Sequence, residues 1–167
     1  MIVKTPKELF VALLSEVRHG EDRTMEVLRQ IGDVAKDPDI REAVESHLFL
    51  KDQTVHALDR CFSLIGEKPL NATDRLHDVF VEDFRREIAN IQSPVAKHLF
   101  ILAKIKHLIQ LRIAEYVTLT AMADLSGHYG VGVLLETCLA EKLAFVERAR
   151  RLIRRMVERE VGTRLAA

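Results

Sequence analysis

Three residues able to do chemistry interrupt the apolar stripes of this sequence. Glu21 follows Phe10, Leu14 and Val17 and precedes Met25 and Leu28. His47 follows Ile40 and Val44 and precedes Val55, Leu58 and Phe62, with Lys51 in between. Glu141 follows Leu134 and Cys138 and precedes Phe145, Ala149, Leu152 and Met156. Each takes a core position on its own helix. An ionised carboxylate in a dry core is costly unless it is paired or metal-bound. Helical bundles build metal sites in this way, from carboxylates and imidazoles on facing helices. Glu21, His47 and Glu141 are therefore candidate metal ligands, complete or remnant. The other reading of the same residues is a buried hydrogen-bond cluster in which His47 is shared between the two glutamates.

A full di-iron site needs more. Two cations call for two single glutamates and two Glu-x-x-His pairs. His47 has Val44 and Leu50 one turn to either side, and Glu141 has Cys138 and Ala144. Glu45 precedes His47 by two residues and should point away from the same spot. A further apolar stripe, Leu99, Leu102, Ile105, Ile109, Ile113, Tyr116 and Thr120, carries no acid at that depth. The stripes thus offer three ligands at most, enough for one weakly held ion and not for a redox pair.

The elements that must position these residues are well marked. Thr5-Pro6-Lys7-Glu8 is a capping box with proline at the first helical position, opening a helix to about Ala35. Asp37-Pro38 opens a second in the same way, and Gly66 stops it. The segment Glu67–Thr73 reads as a loop. A short amphipathic helix follows, with Leu76, Val79, Phe80, Phe84 and Ile88. Ser93-Pro94 opens a third long helix ending near Gly127, and the loop His128–Gly132 leads to a fourth, reaching about Val161. Short loops make two antiparallel hairpins, and a long crossover joins them, which is ferritin-like connectivity. The expectation is an all-α, ferritin-like antiparallel four-helix bundle with one short extra helix in the crossover, as a single domain over residues 1–167.

Composition agrees. The 167 residues hold 25 Lys+Arg against 25 Asp+Glu, so the formal net charge is zero. That balance argues against an overall cationic nucleic-acid binder. Only 7 Gly, 4 Pro and 5% aromatic residues disfavour a sandwich or barrel, which needs many turns and strand-forming side chains. Cys61 and Cys138 cannot make a disulfide framework or a four-ligand zinc site, and read as core residues. Pro6 sits where a signal peptide would place its apolar region. No apolar run reaches the ~18 residues of a membrane span. The expected setting is cytoplasmic and reducing.

The remaining candidates carry less. His56, His77, His98, His107 and His128 are off the stripes and read as solvated or capping residues. The arginines from Arg148 to Arg159 alternate with Glu147 and Glu158 and lack aromatic interleaving, so a solvated face is preferred to nucleic-acid contact. No nucleophile with a recognisable partner stands out, and the Gly127–Gly132 cluster lacks the Lys-Ser/Thr of a phosphate loop.

Several of these pieces together resemble the YciE/YciF-like family of bacterial ferritin-like stress proteins. They are Thr5-Pro6-Lys7-Glu8-Leu9-Phe10 with Glu21 eleven residues on, Glu45-Ser46-His47-Leu48, and Phe62-Ser63-Leu64-Ile65-Gly66-Glu67-Lys68-Pro69. Ile113-Ala114-Glu115-Tyr116 and Leu134 to Glu141 complete the likeness. The resemblance implies a ferritin-like bundle, a homodimer, and a stress-associated role without defined activity. It implies iron if the site is functional. Several positions depart from the family pattern: Leu50 stands three residues after His47 where relatives carry Glu, and Arg112 stands where a further Glu is usual. On the fourth helix the family's Glu-Glu pair falls on Ala140-Glu141 or Glu141-Lys142. Arg112 is thus a candidate to neutralise the remaining glutamates in place of metal.

Overall fold

The computed structural model describes residues 3–72 and 75–165, the last three by backbone alone. Met1, Ile2, Thr73, Asp74, Ala166 and Ala167 lie outside the described residues, among them the end of the loop expected over Glu67–Thr73. The helices run α1 Pro6–Val34, α2 Pro38–Phe49, α3 Lys51–Ile65, α4 Arg75–Ala89, α5 Pro94–Leu125 and α6 Tyr129–Leu165. The caps are those the sequence advertises. The Glu8 N–H donates to the Thr5 hydroxyl, the Asp39 and Ile40 N–H groups to Asp37, and the Ala96 N–H to Ser93. Gly66 takes a left-handed φ of 70°, where a side chain would be strained. The expected fold is the observed one, with α4 as the short helix of the crossover.

Two details differ from expectation. The second long helix is interrupted at Leu50, whose N–H donates to the His47 carbonyl 3.1 Å away in a tightened turn. The Thr54 hydroxyl donates back to the Leu50 carbonyl, a bond that bends helices. The fourth long helix begins at Tyr129, not after Gly132. Gly132 lies so close to the Asp124 carboxylate that a Cβ there would sit 2.4 Å from Oδ1. Gly132 thus permits close approach of α5 and α6 from within the helix, and the turn proper is carried by Gly127 at φ 74°.

Two apolar clusters fill the bundle. One gathers Phe10, Leu14, Val17, Leu58, Phe62, Tyr116, Leu119 and Leu135. The other gathers Met25, Leu28, Ile31, Ile40, Val44, Ile105, Ile109, Phe145 and Leu152. Between them lies a polar layer of Glu21, His47, Arg112 and Lys142, all buried. The crossover follows α1 along its length. The Leu70 N–H donates to the Ser15 hydroxyl, His77 Nε2 lies 2.8 Å from Thr24 Oγ1, and Arg85 donates to Gln30. His77, expected to be solvated or capping, is fully buried.

Candidate metal centre

Helix α1 delivers Glu21 to the bundle centre because Val17 and Met25, a turn before and after, anchor the same face. Its carboxylate is fully buried. Oε1 accepts the Tyr116 hydroxyl at 3.0 Å and the Lys142 ammonium at 2.8 Å. Lys142 is only 1% exposed, and its ammonium also lies 4.9 Å from the centre of the Tyr116 ring. A buried carboxylate is tolerated when a charge partner and hydrogen bonds surround it. Here one ammonium and one phenol supply both, and beside the carboxylate burial holds the Tyr116 hydroxyl well above its usual pKa.

His47 is buried, stacked on Phe145 with ring centroids 4.4 Å apart. Burial, then the charge of Lys142, lowers its pKa to about 4, with Glu21 opposing. The imidazole is therefore neutral. Among the described residues its Nε2 and Glu21 Oε2 have no hydrogen-bond partner, and both face the interior.

Glu141 lies elsewhere. It is half-buried, and its Oε2 accepts the Thr54 hydroxyl at 3.4 Å. The side chain that α6 sends to Glu21 is that of Lys142. Among the described residues the buried side chains of α6 are Val131, Leu135, Cys138, Lys142, Phe145, Ala149, Leu152 and Met156, a strict alternation of three- and four-residue steps. That alternation was readable in the sequence. Placing Leu134 rather than Leu135 on the stripe moves the polar position to Glu141, one residue early. The structure thus brings Glu21 and His47 to one layer and leaves Glu141 half-buried beside Thr54, outside any three-residue ligand group among the described residues.

Arg112 is buried too, but it does not reach Glu21. Its Nη2 donates to Glu115 Oε1 at 2.6 Å, and its guanidinium lies against the backbone of Gly20. The internal neutraliser of Glu21 is Lys142, which no motif announced. Cys61 and Cys138 are buried, as expected. Burial raises their pKa values to about 12 and about 11, which keeps both as thiols.

The donor set can be tested against a metal. Among the described residues no three His, Cys, Asp or Glu side chains are grouped closely enough to hold an ion. Lys142 places a fixed positive charge on the carboxylate oxygen that a metal would take, and an ammonium donates protons where a ligand must donate electron pairs. The residues present do not fit a carboxylate-bridged metal pair.

A split second helix, two antiparallel hairpins, a crossover along α1 and a buried polar layer define a ferritin-like helical bundle. The chain belongs to the family described as a domain of unknown function, DUF892, whose model matches residues 5–162. The resemblance to YciF-like stress proteins is borne out at the level of fold. The Escherichia coli stress protein YciF has a TM-score of 0.86 at 19% identity, over 93% of this chain and 99% of that one. YcfI from Rhodopseudomonas palustris, described as a proposed structural protein, has a TM-score of 0.83 at 23% identity, over 89% of this chain and 94% of that one. A ferritin-like, diiron-carboxylate protein from Bacillus anthracis has a TM-score of 0.67 at 14% identity, over 90% of this chain and 99% of that one. No curated protein matches the chain. Among the described residues no helix is long and apolar enough to cross a membrane.

Proposed function

We propose that this chain is a stress-associated ferritin-like bundle protein, structural rather than catalytic, in which an internal lysine has taken over the role of a metal. The observation that carries this reading is the Lys142–Glu21 ion pair at 2.8 Å, with side-chain exposures of 1% and 0%. Such a pair balances the charge of the buried carboxylate, so folding needs no cation. The cytoplasmic setting and the homodimer implied by the family resemblance belong to the same proposal. The dimer is favoured by α5, which exposes Ala114, Val117, Ala121 and Leu125 on its outer side.

Elemental analysis of protein produced in iron-replete medium tests it. The expected result is far less than one iron, manganese or zinc per chain, and a melting temperature unmoved by chelator. About two irons per chain, in the stoichiometry of a carboxylate-bridged pair, would overturn it.

The second reading is a weak single-ion site built on Glu21 and His47, completed by Glu141 after a shift of α6. It is favoured by the two unpartnered interior atoms, Glu21 Oε2 and His47 Nε2. It predicts that Glu141→Ala abolishes binding of added manganese or zinc. The first reading predicts no such binding to abolish.

A further inference from the structure

The end of the bundle at which α1 finishes carries a cavity of about 390 Å3, where α1, α4 and α5 meet. Val34, Ile88 and Ile101 give it apolar walls, and Lys36, Lys97 and His98 line it as well. Among the described residues no acidic one lines it. Three other cations on this half of the molecule are paired: Lys104 with Glu87, Arg86 with Asp83, and Arg148 with Glu42. The side chains of Lys36, Lys97 and His98 form no ion pair or hydrogen bond with a described residue. The acid next to Lys36 in sequence, Asp37, is committed to the cap of α2. Lys97 and His98 are half-buried in the hollow, and Lys36 stands exposed at its rim.

Aliphatic walls with a few convergent polar groups are the usual build of a small-molecule site, and the volume lies within the range of such sites. We propose that this cavity binds a small carboxylate with an apolar body, a medium-chain fatty acid or an aromatic acid. The carboxylate is held by Lys36, Lys97 and His98, and the hydrocarbon lies against Val34, Ile88 and Ile101. Both parts are needed. A bare anion forgoes the apolar walls, and an uncharged tail leaves the cations unpaired. The site is separate from the polar layer and does not depend on the reading of Lys142.

The competing account is that these cations only offset the carbonyl ends of α1 and α4. Titration of the isotope-labelled full chain with octanoate, following backbone amide resonances, separates the two. The expected result is saturable shifts centred on Val34, Lys97 and Ile101. The Lys36→Ala/Lys97→Ala variant should weaken binding about tenfold, the effect of losing charge-assisted contacts. Octanol and inorganic phosphate should each bind more weakly than octanoate. Absence of saturable shifts, shifts mapping elsewhere, or an unchanged affinity in the double variant would each overturn the proposal. Loss of stability in that variant with unaltered octanoate affinity would establish the helix-end account instead.

Discussion

The Lys142 ammonium lies 2.8 Å from Oε1 of Glu21, and neither side chain reaches solvent. An isolated charge at this depth would be forced to neutralise, so each residue is the condition for the other. The pair also takes the Tyr116 hydroxyl as a third member, at 3.0 Å from the same oxygen.

Breaking that pair from one side is expected to cost about 3–5 kcal/mol, because the surviving charge is stranded. Lys142→Met and Glu21→Gln should each lower the urea midpoint markedly. The double variant should recover much of the loss, since neither charge then remains. Chemical denaturation of the four species closes the cycle. Additive losses in the double variant would show that the two side chains are not coupled.

Gly20 is a test of Arg112. A Cβ at that position would sit 2.0 Å from Arg112 Nη1, so Gly20→Ala must push the guanidinium away from its bond to Glu115. A loss of about 1–3 kcal/mol is expected, as for other overpacked sites. In an Arg112→Leu background the same alanine should cost far less, because the clashing group is gone. Thermal unfolding of the four chains measures both numbers.

His47 sets an acid limit on stability. Its folded pKa lies near 4, pushed down by burial and by Lys142, against 6.5 for the free side chain. Between those values the unfolded chain binds a proton that the folded chain refuses. Stability therefore falls as pH drops from 6.5 toward 4, by about 3 kcal/mol over the window. His47→Gln should flatten this part of the stability profile, whatever its effect at neutral pH. An unchanged slope would assign the acid sensitivity to other groups.

The cysteines should be silent until the chain opens. With pKa values near 12 and 11, neither Cys61 nor Cys138 carries appreciable thiolate at pH 8, and both are buried. Alkylation by iodoacetamide should be negligible in native buffer and rapid in denaturant, with mass spectrometry reading both sites. Prompt native labelling of either would contradict the burial.

Most of the architecture could be read from helix punctuation. Thr5, Asp37 and Ser93 each stand before a proline, Gly66 ends a helix, and the core stripes of α1 and α5 fall where the spacing places them, while past the break at Leu50 the buried position is Thr54 and Val55 is half-buried. The polar layer was legible only in part. Glu21 and His47 were found because each is a lone polar residue on an apolar stripe. Lys142 was missed because Glu141 beside it is the more familiar ligand and Leu134 and Leu135 are interchangeable by hydrophobicity. Only the strict three-four alternation through Leu135, Cys138 and Phe145 separates them. His77 was missed for another reason. Its burial depends on Thr24, fifty-three residues away, a pairing that no local pattern encodes.

The crossover's contacts with α1, made at Ser15, Thr24 and Gln30, have a mechanical consequence. Partner positions rise together along both segments, so the crossover acts as a batten fastened beside a beam. Sliding one hairpin along the bundle axis past the other would have to release these fastenings together, with the Lys7–Glu67 and Arg23–Asp78 ion pairs. The relative height of the hairpins is thereby fixed from outside the interior. Residues of the polar layer can thereby be substituted without the two halves losing their alignment.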